Sequence, residues 1–191
     1  LGRSILPRVL EGIRTTLLIS IAAVLVSTIL ATTIAIAATL YGGFIDQLVV
    51  RAADTFFAFP AVLLAILLST IEGTGSQAAI VAIIVITLPL MIRAIRAASL
   101  GVADRDFITS SWVGGASTIR LATVHILPNI AGVVVVQATY AASIAMLTEG
   151  ALSFLGFGVQ APTASLGSLV QEGNLYLPIA PWVTLIPGVV L

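Results

Sequence analysis

The sequence predicts an all-α, polytopic transmembrane helical protein, and two observations carry this prediction. Of the 191 residues, 59% are hydrophobic and only 8% are charged, and the mean hydropathy is +1.19. Soluble domains carry about 25% charged residues. The apolar residues are also grouped into long uncharged stretches, beginning with residues 15–40, and about 20 apolar residues in a helix cross the hydrocarbon core of a bilayer.

Polar breaks divide the chain into an interfacial segment and five spans. Residues 1–14 place arginines and apolar residues at amphipathic helical spacing, which predicts a helix along the membrane surface. Turn chemistry at Tyr41-Gly42-Gly43 and at residues 72–76 ends the first two spans. The expected spans are residues 15–40, 56–71, 78–92, 128–147, and a fifth that starts at Pro181-Trp182. We expect residues 1–191 to form one transmembrane domain cut from a longer chain at both ends.

A polar island at residues 93–129 is expected to lie in water between the third and fourth spans. It holds four of the eight arginines and two of the four aspartates. Loops rich in arginine favour the cytoplasmic side, so we predict that the island is cytoplasmic and contacts a soluble partner. The first span taken alone favours the opposite orientation. With the island inside, the arginines expected inside are Arg51, Arg93, Arg96, Arg105 and Arg120, against Arg3, Arg8 and Arg14 outside.

Two short helices are predicted within the island. Asp104 or Asp106 can cap the first through a side-chain oxygen, and Gly114-Gly115 can end it. Ile108 and Trp112 are four residues apart and are expected on one face. Trp112 either docks on a partner or anchors the chain at the membrane surface. Ser117 can cap the second helix, which is predicted to pass Arg120 and His125 and to stop at Pro128.

Residues 149–181 are predicted to lie on the opposite, extracytoplasmic side. This segment is rich in glycine and proline and has no basic residue, and its apolar content suggests that it dips against the bilayer or caps a pore. The candidate residues for a translocation path are Gln137, Thr148 and Glu149. Gln137 could equally bond a neighbouring helix, and Glu149 could be an interfacial carboxylate or bond a loop.

Several chemistries require residues that the sequence lacks. The chain has no lysine, and a Walker-type phosphate-binding loop needs one, so this chain is not expected to hydrolyse ATP or to be an enzyme. It has no cysteine and a single histidine, which predicts no metal site, haem or other cofactor within the chain. Its formal net charge of zero gives no basis for nucleic-acid binding.

The island contains a motif that resembles the cytoplasmic EAA loop of binding-protein-dependent ABC importer permeases. The matching stretches are Asp106-Phe107-Ile108, Gly115-Ala116-Ser117 and His125-Ile126-Leu127-Pro128-Asn129. The chain more narrowly resembles the second, C-type permease subunit of dipeptide, oligopeptide and nickel importers. Further stretches carry this likeness over essentially the whole chain, including Tyr41-Gly42-Gly43-Phe44-Ile45-Asp46, Ala58-Phe59-Pro60 and Glu149-Gly150-Ala151-Leu152-Ser153-Phe154-Leu155-Gly156-Phe157-Gly158-Val159-Gln160-Ala161-Pro162.

The resemblance implies a type I ABC importer permease fold with a cytoplasmic coupling-helix loop and six spans in the full protein. It implies a multi-pass protein of a prokaryotic plasma (inner) membrane that imports di- or oligopeptides, with nickel or glutathione as other cargoes of the family. The implied partners are a second permease, two ATPase subunits or domains that hold ATP and Mg²⁺, an extracytoplasmic substrate-binding protein and membrane lipid. The implied ATPase-coupling residues are Asp104, Arg105, Asp106, Thr109, Trp112, Gly115, Ser117 and Pro128.

One departure from the family's loop concerns its charge. Thr109-Ser110-Ser111 stands where the family has Glu-Ala-Ala, so the carboxylate is missing and coupling must use neutral hydrogen bonds or the neighbouring charges.

Two other classes of membrane protein are open to the sequence. An ion-coupled secondary transporter needs an ionisable residue inside a span, and no predicted span interior holds one. A membrane subunit of an electron-transfer or biosynthetic complex is disfavoured by the single histidine and by the lack of a close pair of carboxylates.

Overall fold

The computed structural model describes residues 4–160 and 162–191, and most of these residues are helical. A π-helical turn at Leu121–Ile126 joins the sixth helix to the seventh. The α-helices, in chain order, are α1 (Ile5–Tyr41), α2 (Gly43–Phe57), α3 (Ala61–Glu72), α4 (Ser76–Ala103), α5 (Asp106–Val113), α6 (Thr118–Arg120), α7 (Leu127–Phe154), α8 (Leu166–Asn174) and α9 (Trp182–Val190).

Three of these helical stretches are long and apolar enough to cross a membrane. They are α1, α4 and the continuous stretch Thr118–Phe154. Helices α2 and α3 pass the same test together but meet at 93°, so they form either a fourth, broken span or a re-entrant loop. The prediction of an all-α polytopic protein is confirmed.

The described residues divide into two compact units. The first comprises residues 4–24, Pro60–Ile86, 142–160 and 162–191, and the second comprises Leu25–Phe59 and Thr87–Ala141. Within the first unit, Leu152 packs against Ala65 and Ala82 in one buried cluster. Within the second unit, the buried hydroxyls of Ser27 and Thr87 form a hydrogen bond of 2.8 Å.

The predicted interfacial segment at residues 1–14 is not separate from the first span. Helix α1 runs without a break from Ile5 to Tyr41, which makes it about 55 Å long at 1.5 Å per residue. The arginines in its first turns are compatible with a helix, and the predicted boundary between Arg14 and Thr15 has no glycine or proline that would end one. Its predicted end at Tyr41-Gly42-Gly43 is confirmed, with Gly42 and Gly43 at positive φ.

The predicted second span was wrong in its boundaries. Phe56 and Phe57 end α2 rather than begin a span, and the connection expected before them is itself helical. Pro60 stands just before α3 at φ −59° and ψ 124°. Proline disfavours helical geometry in the residue that precedes it, so Phe59 leaves the helix and the chain turns sharply there.

The third span extends eleven residues beyond its predicted end, from Ile92 to Ala103. Pro89 lies inside α4 and does not end it. Arg93 and Arg96 therefore lie on the helix and not in the polar island. Both arginines have carboxylate partners on α2, Asp54 and Asp46, so their charges do not require the helix to stop.

The prediction that a helix stops at Pro128 was also wrong. The chain is helical from Thr118 to Phe154, and the π-helical turn ends two residues before the proline. In that turn the Leu127 N–H donates to the Ala122 carbonyl, five residues back. A proline in a helix normally clashes with the carbonyl four residues earlier, here Val124, and the wider π-helical turn relieves that contact.

The last predicted span corresponds to α9, which has nine residues in this chain. Nine residues are fewer than a span requires, so the fifth span stays a prediction. The segment at residues 149–181, which we predict to be extracytoplasmic, is partly helical, since α7 continues to Phe154 and α8 follows at Leu166.

Candidate functional site

The residues that resemble a coupling loop lie in the second unit, between the long helices α4 and α7. We call residues 104–129 the coupling segment. Helix α5 follows the turn at Asp104 and Arg105, and the predicted aspartate cap is wrong: Arg105 occupies the N-cap with extended backbone and no side-chain hydrogen bond. Asp106 is the first helical residue, where its negative charge favours the helix N-terminus. All three charged residues are exposed.

Helix α5 turns one apolar residue inward and leaves others outside. Ile108 is buried with 4% of its surface exposed, whereas Trp112 is 68% exposed and Val113 is 85% exposed. Ile108 and Trp112 lie four residues apart on α5, and their predicted common face is thus buried at Ile108 and exposed at Trp112. Phe107 contacts the His125 ring, with 6.3 Å between ring centroids. The large apolar side chains of Trp112 and Val113 are thus exposed at the end of α5. Thr109 is also exposed on the same helix.

The predicted end of α5 and the start of the next helix are both confirmed. Gly115 has φ +85°, a conformation that favours glycine, and its N–H donates to the Trp112 carbonyl. The Ser117 hydroxyl accepts a hydrogen bond of 3.3 Å from the Arg120 N–H. Ile119 follows with 76% of its surface exposed. These contacts stabilise a tight turn between α5 and α6, next to the exposed end of α5.

Pro128 lies at the far end of the coupling segment and is exposed. The Asn129 side-chain amide donates to the His125 carbonyl over 2.7 Å, which satisfies a backbone acceptor next to the π-helical turn. The segment therefore begins with charged residues, displays apolar ones at its turn, and ends in a non-standard helix. Such an arrangement can bind a partner by covering apolar surface inside a charged rim.

Sequence reasoning missed a polar contact between α2 and α4. The Arg96 guanidinium donates to both carboxylate oxygens of Asp46. Arg93 lies 3.4 Å from the Asp54 carboxylate and 5.0 Å from the Phe57 ring centroid. Asp46 and Arg96 are 50 residues apart in sequence, so no local spacing could have indicated the pair.

The three candidate path residues take different positions on α7. Gln137 and Thr148 are half-buried, and their predicted role stays a prediction. Glu149 is fully buried, and its carboxylate accepts hydrogen bonds from the hydroxyls of Thr16 at 2.7 Å and Ser153 at 2.6 Å. Glu149 therefore does not line an open surface of this chain, and the sequence did not indicate its two hydroxyl partners.

Comparison with known proteins agrees with the geometry. Residues 29–191 match the family described as "Binding-protein-dependent transport system inner membrane component". The chain is 37% identical, over its whole length, to a di/tripeptide transport system permease protein of Pseudomonas aeruginosa and covers 63% of that protein. It is 36% identical to a dipeptide transport system permease protein of Haemophilus influenzae, covering 65% of it.

A third relative, a glutathione transport system permease protein of Pectobacterium atrosepticum, is 34% identical over 191 residues, which cover 64% of its length. The chain thus spans less than two thirds of these relatives. The family match covers most of the chain and the apolar helices are long enough to cross a bilayer. The chain therefore belongs to the family of binding-protein-dependent transport system inner membrane components and is a multi-pass protein of a prokaryotic inner membrane.

Proposed function

We propose that this chain is part of a permease subunit in an ATP-driven, binding-protein-dependent importer. The permease forms one half of a translocation path, and a second, homologous permease supplies the other half. An extracytoplasmic binding protein delivers the cargo. The family match and the helices of spanning length support this proposal.

The single observation that carries the proposed coupling is the exposure of α5. Trp112 and Val113 leave most of their surface open at a tight turn, beyond the end of the spanning helix α4. Burying a large apolar side chain contributes about 1.5–3 kcal/mol. A partner cleft that receives the end of α5 would gain this energy, and we assign that cleft to an ATPase subunit.

ATP and Mg²⁺ belong, in this proposal, to two ATPase subunits or domains and not to this chain. ATP binding closes the ATPase pair, and the docked coupling segments move with it. Because α5 follows α4 after two residues and the π-helical turn leads directly into α7, displacement of the coupling segment is passed to two long helices. The function of this chain is then a conformational equilibrium that its partners bias.

The loss of the family's carboxylate alters how the coupling segment would bind. Thr109 offers a neutral hydroxyl in its place, and it is exposed. We propose that Asp104, Arg105 and Asp106, which are exposed just before α5, supply the charged contacts to the ATPase. Charged groups at the edge of an interface act mainly on the association rate and on specificity.

We propose di- or oligopeptides as the cargo. Relatives named for dipeptide or di/tripeptide transport support this choice, and the glutathione permease among the relatives makes that tripeptide the second candidate. Gln137 and Thr148, half-buried on α7, remain our candidates for contact with cargo along the path.

The alternative of an ion-coupled secondary transporter needs a correction. The sequence placed Glu149 at the end of a span, but it lies inside α7, five residues before the helix ends. The lack of an ionisable residue inside a span therefore no longer argues against this class. The family match supports the importer over this class.

Co-purification tests the proposed function directly. The full-length protein would be extracted in mild detergent, every co-purifying chain identified, and ATPase activity measured with and without the binding protein. We expect a second permease, ATPase subunits and a binding protein, with the ligand of the last identifying the cargo. Purification of the chain alone, as a homo-oligomer without ATPase activity, would contradict the proposal.

A further inference from the structure

The buried carboxylate of Glu149 stands at the centre of a hydrogen-bond network in the first unit. Thr16 donates its hydroxyl to one carboxylate oxygen at 2.7 Å, and Ser153 donates to the other at 2.6 Å. The described residues form three ion pairs, and Glu149 takes part in none of them. An ionisable group at this depth is costly unless it has hydrogen-bond partners, so a function beyond packing is expected for it.

Each hydroxyl also accepts a hydrogen bond from a backbone N–H of the chain that follows α7. Ser153 accepts from the Val159 N–H at 3.0 Å. Thr16 accepts from the Leu166 N–H at 3.2 Å. Leu166 is the first residue of α8, and the first N–H groups of a helix have no partner within the helix. The carboxylate is therefore linked through two hydroxyls to Val159, in the middle of the connection between α7 and α8, and to Leu166, where α8 begins.

The direction of these bonds depends on the carboxylate. A hydroxyl has one proton to donate and can also accept. Because Glu149 accepts only, both hydroxyl protons point at it, and the hydroxyl oxygens are left to accept the two backbone N–H groups. A glutamine at this position would present an NH₂ group to one hydroxyl. That hydroxyl would then accept a hydrogen bond from residue 149 and could no longer donate one to it. Its proton would need another acceptor, so the present arrangement of bonds would be lost.

The backbone approaches the helices closely at three glycines around this network. A Cβ atom on Gly12 would lie 3.2 Å from the Leu166 nitrogen. One on Gly158 would lie 2.8 Å from the Ser153 nitrogen, and one on Gly167 would lie 2.9 Å from the Gly150 Cα. No side chain fits at the last two positions without a shift. Short hydroxyl side chains reach the backbone N–H groups because the elements lie this close together.

We infer that Glu149, Thr16 and Ser153 form a polar latch that holds the connection between α7 and α8 against α1 and α7. Glu149 acts as a positioning residue, because it orients the two hydroxyls that bind the connection. A second contact joins the same elements, since Arg8 on α1 lies 2.7 Å from Glu172 on α8. That pair is exposed, and exposed ion pairs contribute little.

The latch has a consequence for the importer proposed above, although it does not depend on that function. With the latch closed, the start of α1, the end of α7 and the start of α8 move together. Opening the latch frees the connection without breaking any of these helices. It is thus a place where the face that we predict to be extracytoplasmic can change shape.

Labelling of a buried reporter tests the latch. The 191 residues contain no cysteine, so an Ala164→Cys variant of the full-length protein in native membranes reports on the connection. Ala164 is 5% exposed and packs with Val9, Leu166 and Leu169. A second reporter, Ala82→Cys, lies at a fully buried position in the cluster with Ala65 and Leu152. Membranes without either cysteine give the background rate of maleimide labelling.

Glu149→Gln and Thr16→Val are each expected to raise labelling at residue 164 by about tenfold or more, the factor that corresponds to losing one hydrogen bond to a charged group. Labelling at residue 82 is expected to stay unchanged. Thr15→Val is the matched control, because the Thr15 hydroxyl bonds only the Glu11 carbonyl on its own helix, and it should leave both rates unchanged.

Three results would overturn the latch. The first is an unchanged rate at residue 164 in both variants. The second is a rise in only one variant, since the latch requires both the Glu149 carboxylate and the Thr16 hydroxyl. The third is an equal rise at residue 82, which would mean that the unit loosens as a whole. The experiment needs neither cargo nor ATPase, so its failure is distinguishable from failure of the transport proposal.

Discussion

Arg96 on α4 binds both carboxylate oxygens of Asp46 on α2, and both side chains are largely shielded from solvent. A bidentate pair of this kind fixes the relative orientation of its two elements as well as holding them together. Helix α2 is short and follows a glycine pair after α1. The ion pair therefore determines where α2 lies within the second unit.

Removing one charge of this pair is expected to destabilise the second unit. Asp46→Asn should cost about 1–3 kcal/mol, because it leaves the Arg96 guanidinium partly buried without a matching carboxylate. The measurement is the thermal unfolding midpoint of the purified protein in detergent. Asp104→Asn, at an exposed position, is the control and should have no measurable effect.

Exchanging the two charges distinguishes the contribution of the ion pair itself from that of the residues around it. Asp46→Arg combined with Arg96→Asp is expected to regain part of the stability lost in either single variant. A double variant no more stable than the worse single variant would show that the environment, and not the pair, holds α2 in place.

Trp112→Glu is expected to abolish substrate uptake while the chain remains inserted in the membrane. Trp112 is 68% exposed, so a charge there does not disturb the interior of the second unit, but it would be buried in a docked interface at high cost. Uptake and substrate-stimulated ATPase activity are measured in reconstituted vesicles. Trp112→Phe keeps an apolar ring and should retain most of the uptake. Normal uptake by the glutamate variant would contradict the proposal that Trp112 docks on an ATPase subunit.

Gly115→Ala tests whether the turn after α5 must be kept in its present conformation. A Cβ at this position meets no atom within 4 Å, so its effect comes from the positive φ alone. Left-handed backbone costs a non-glycine residue about 1–2 kcal/mol, and we expect reduced coupling together with a small drop in thermal stability. Gly101→Ala, in α4 and also without close neighbours, is the matched control and should be neutral or slightly stabilising. Equal effects of both variants would contradict this account.

The predicted topology can be tested with single cysteines and an impermeant maleimide. A cysteine at residue 110 should react only from the cytoplasmic side, and one at residue 163 only from outside. Thr163 is exposed, whereas Ser165 two residues later is fully buried and would not react from either side. The reverse pattern would invert the topology.

The fold class and the turn chemistry were predictable from the sequence, whereas the boundaries set by distant contacts or by prolines were not. Composition and long apolar runs indicate directly which helices cross a bilayer. Gly115 ends α5 through its own backbone conformation, and Ser117 caps the next helix with its own side chain. Helix α4, by contrast, continues past its predicted end because Arg93 and Arg96 meet carboxylates far away in the sequence. The break before Pro60 was misplaced because a proline near a helix start is compatible with either side of the boundary.

The role of the coupling segment stays a prediction, and the contacts that define its geometry were not predictable from the sequence. Glu149 shows the same limit, since its partners Thr16 and Ser153 are ordinary hydroxyl residues in apolar helices. Hydroxyls at such positions usually bond their own helix backbone. Only the fold shows that these two face a common carboxylate.

The π-helical turn at Leu121–Ile126 holds one residue more than an α-helical turn would, directly before α7 begins. Each residue in an α-helix turns the chain by about 100°, so the extra residue sets which side of α7 faces which neighbour. If the same residues wound as a regular α-helix instead, the sequence of α7 would stay intact and yet all of it would be rotated by about that angle relative to α6. The rotational setting of a long membrane helix is therefore encoded in six residues that lie outside it.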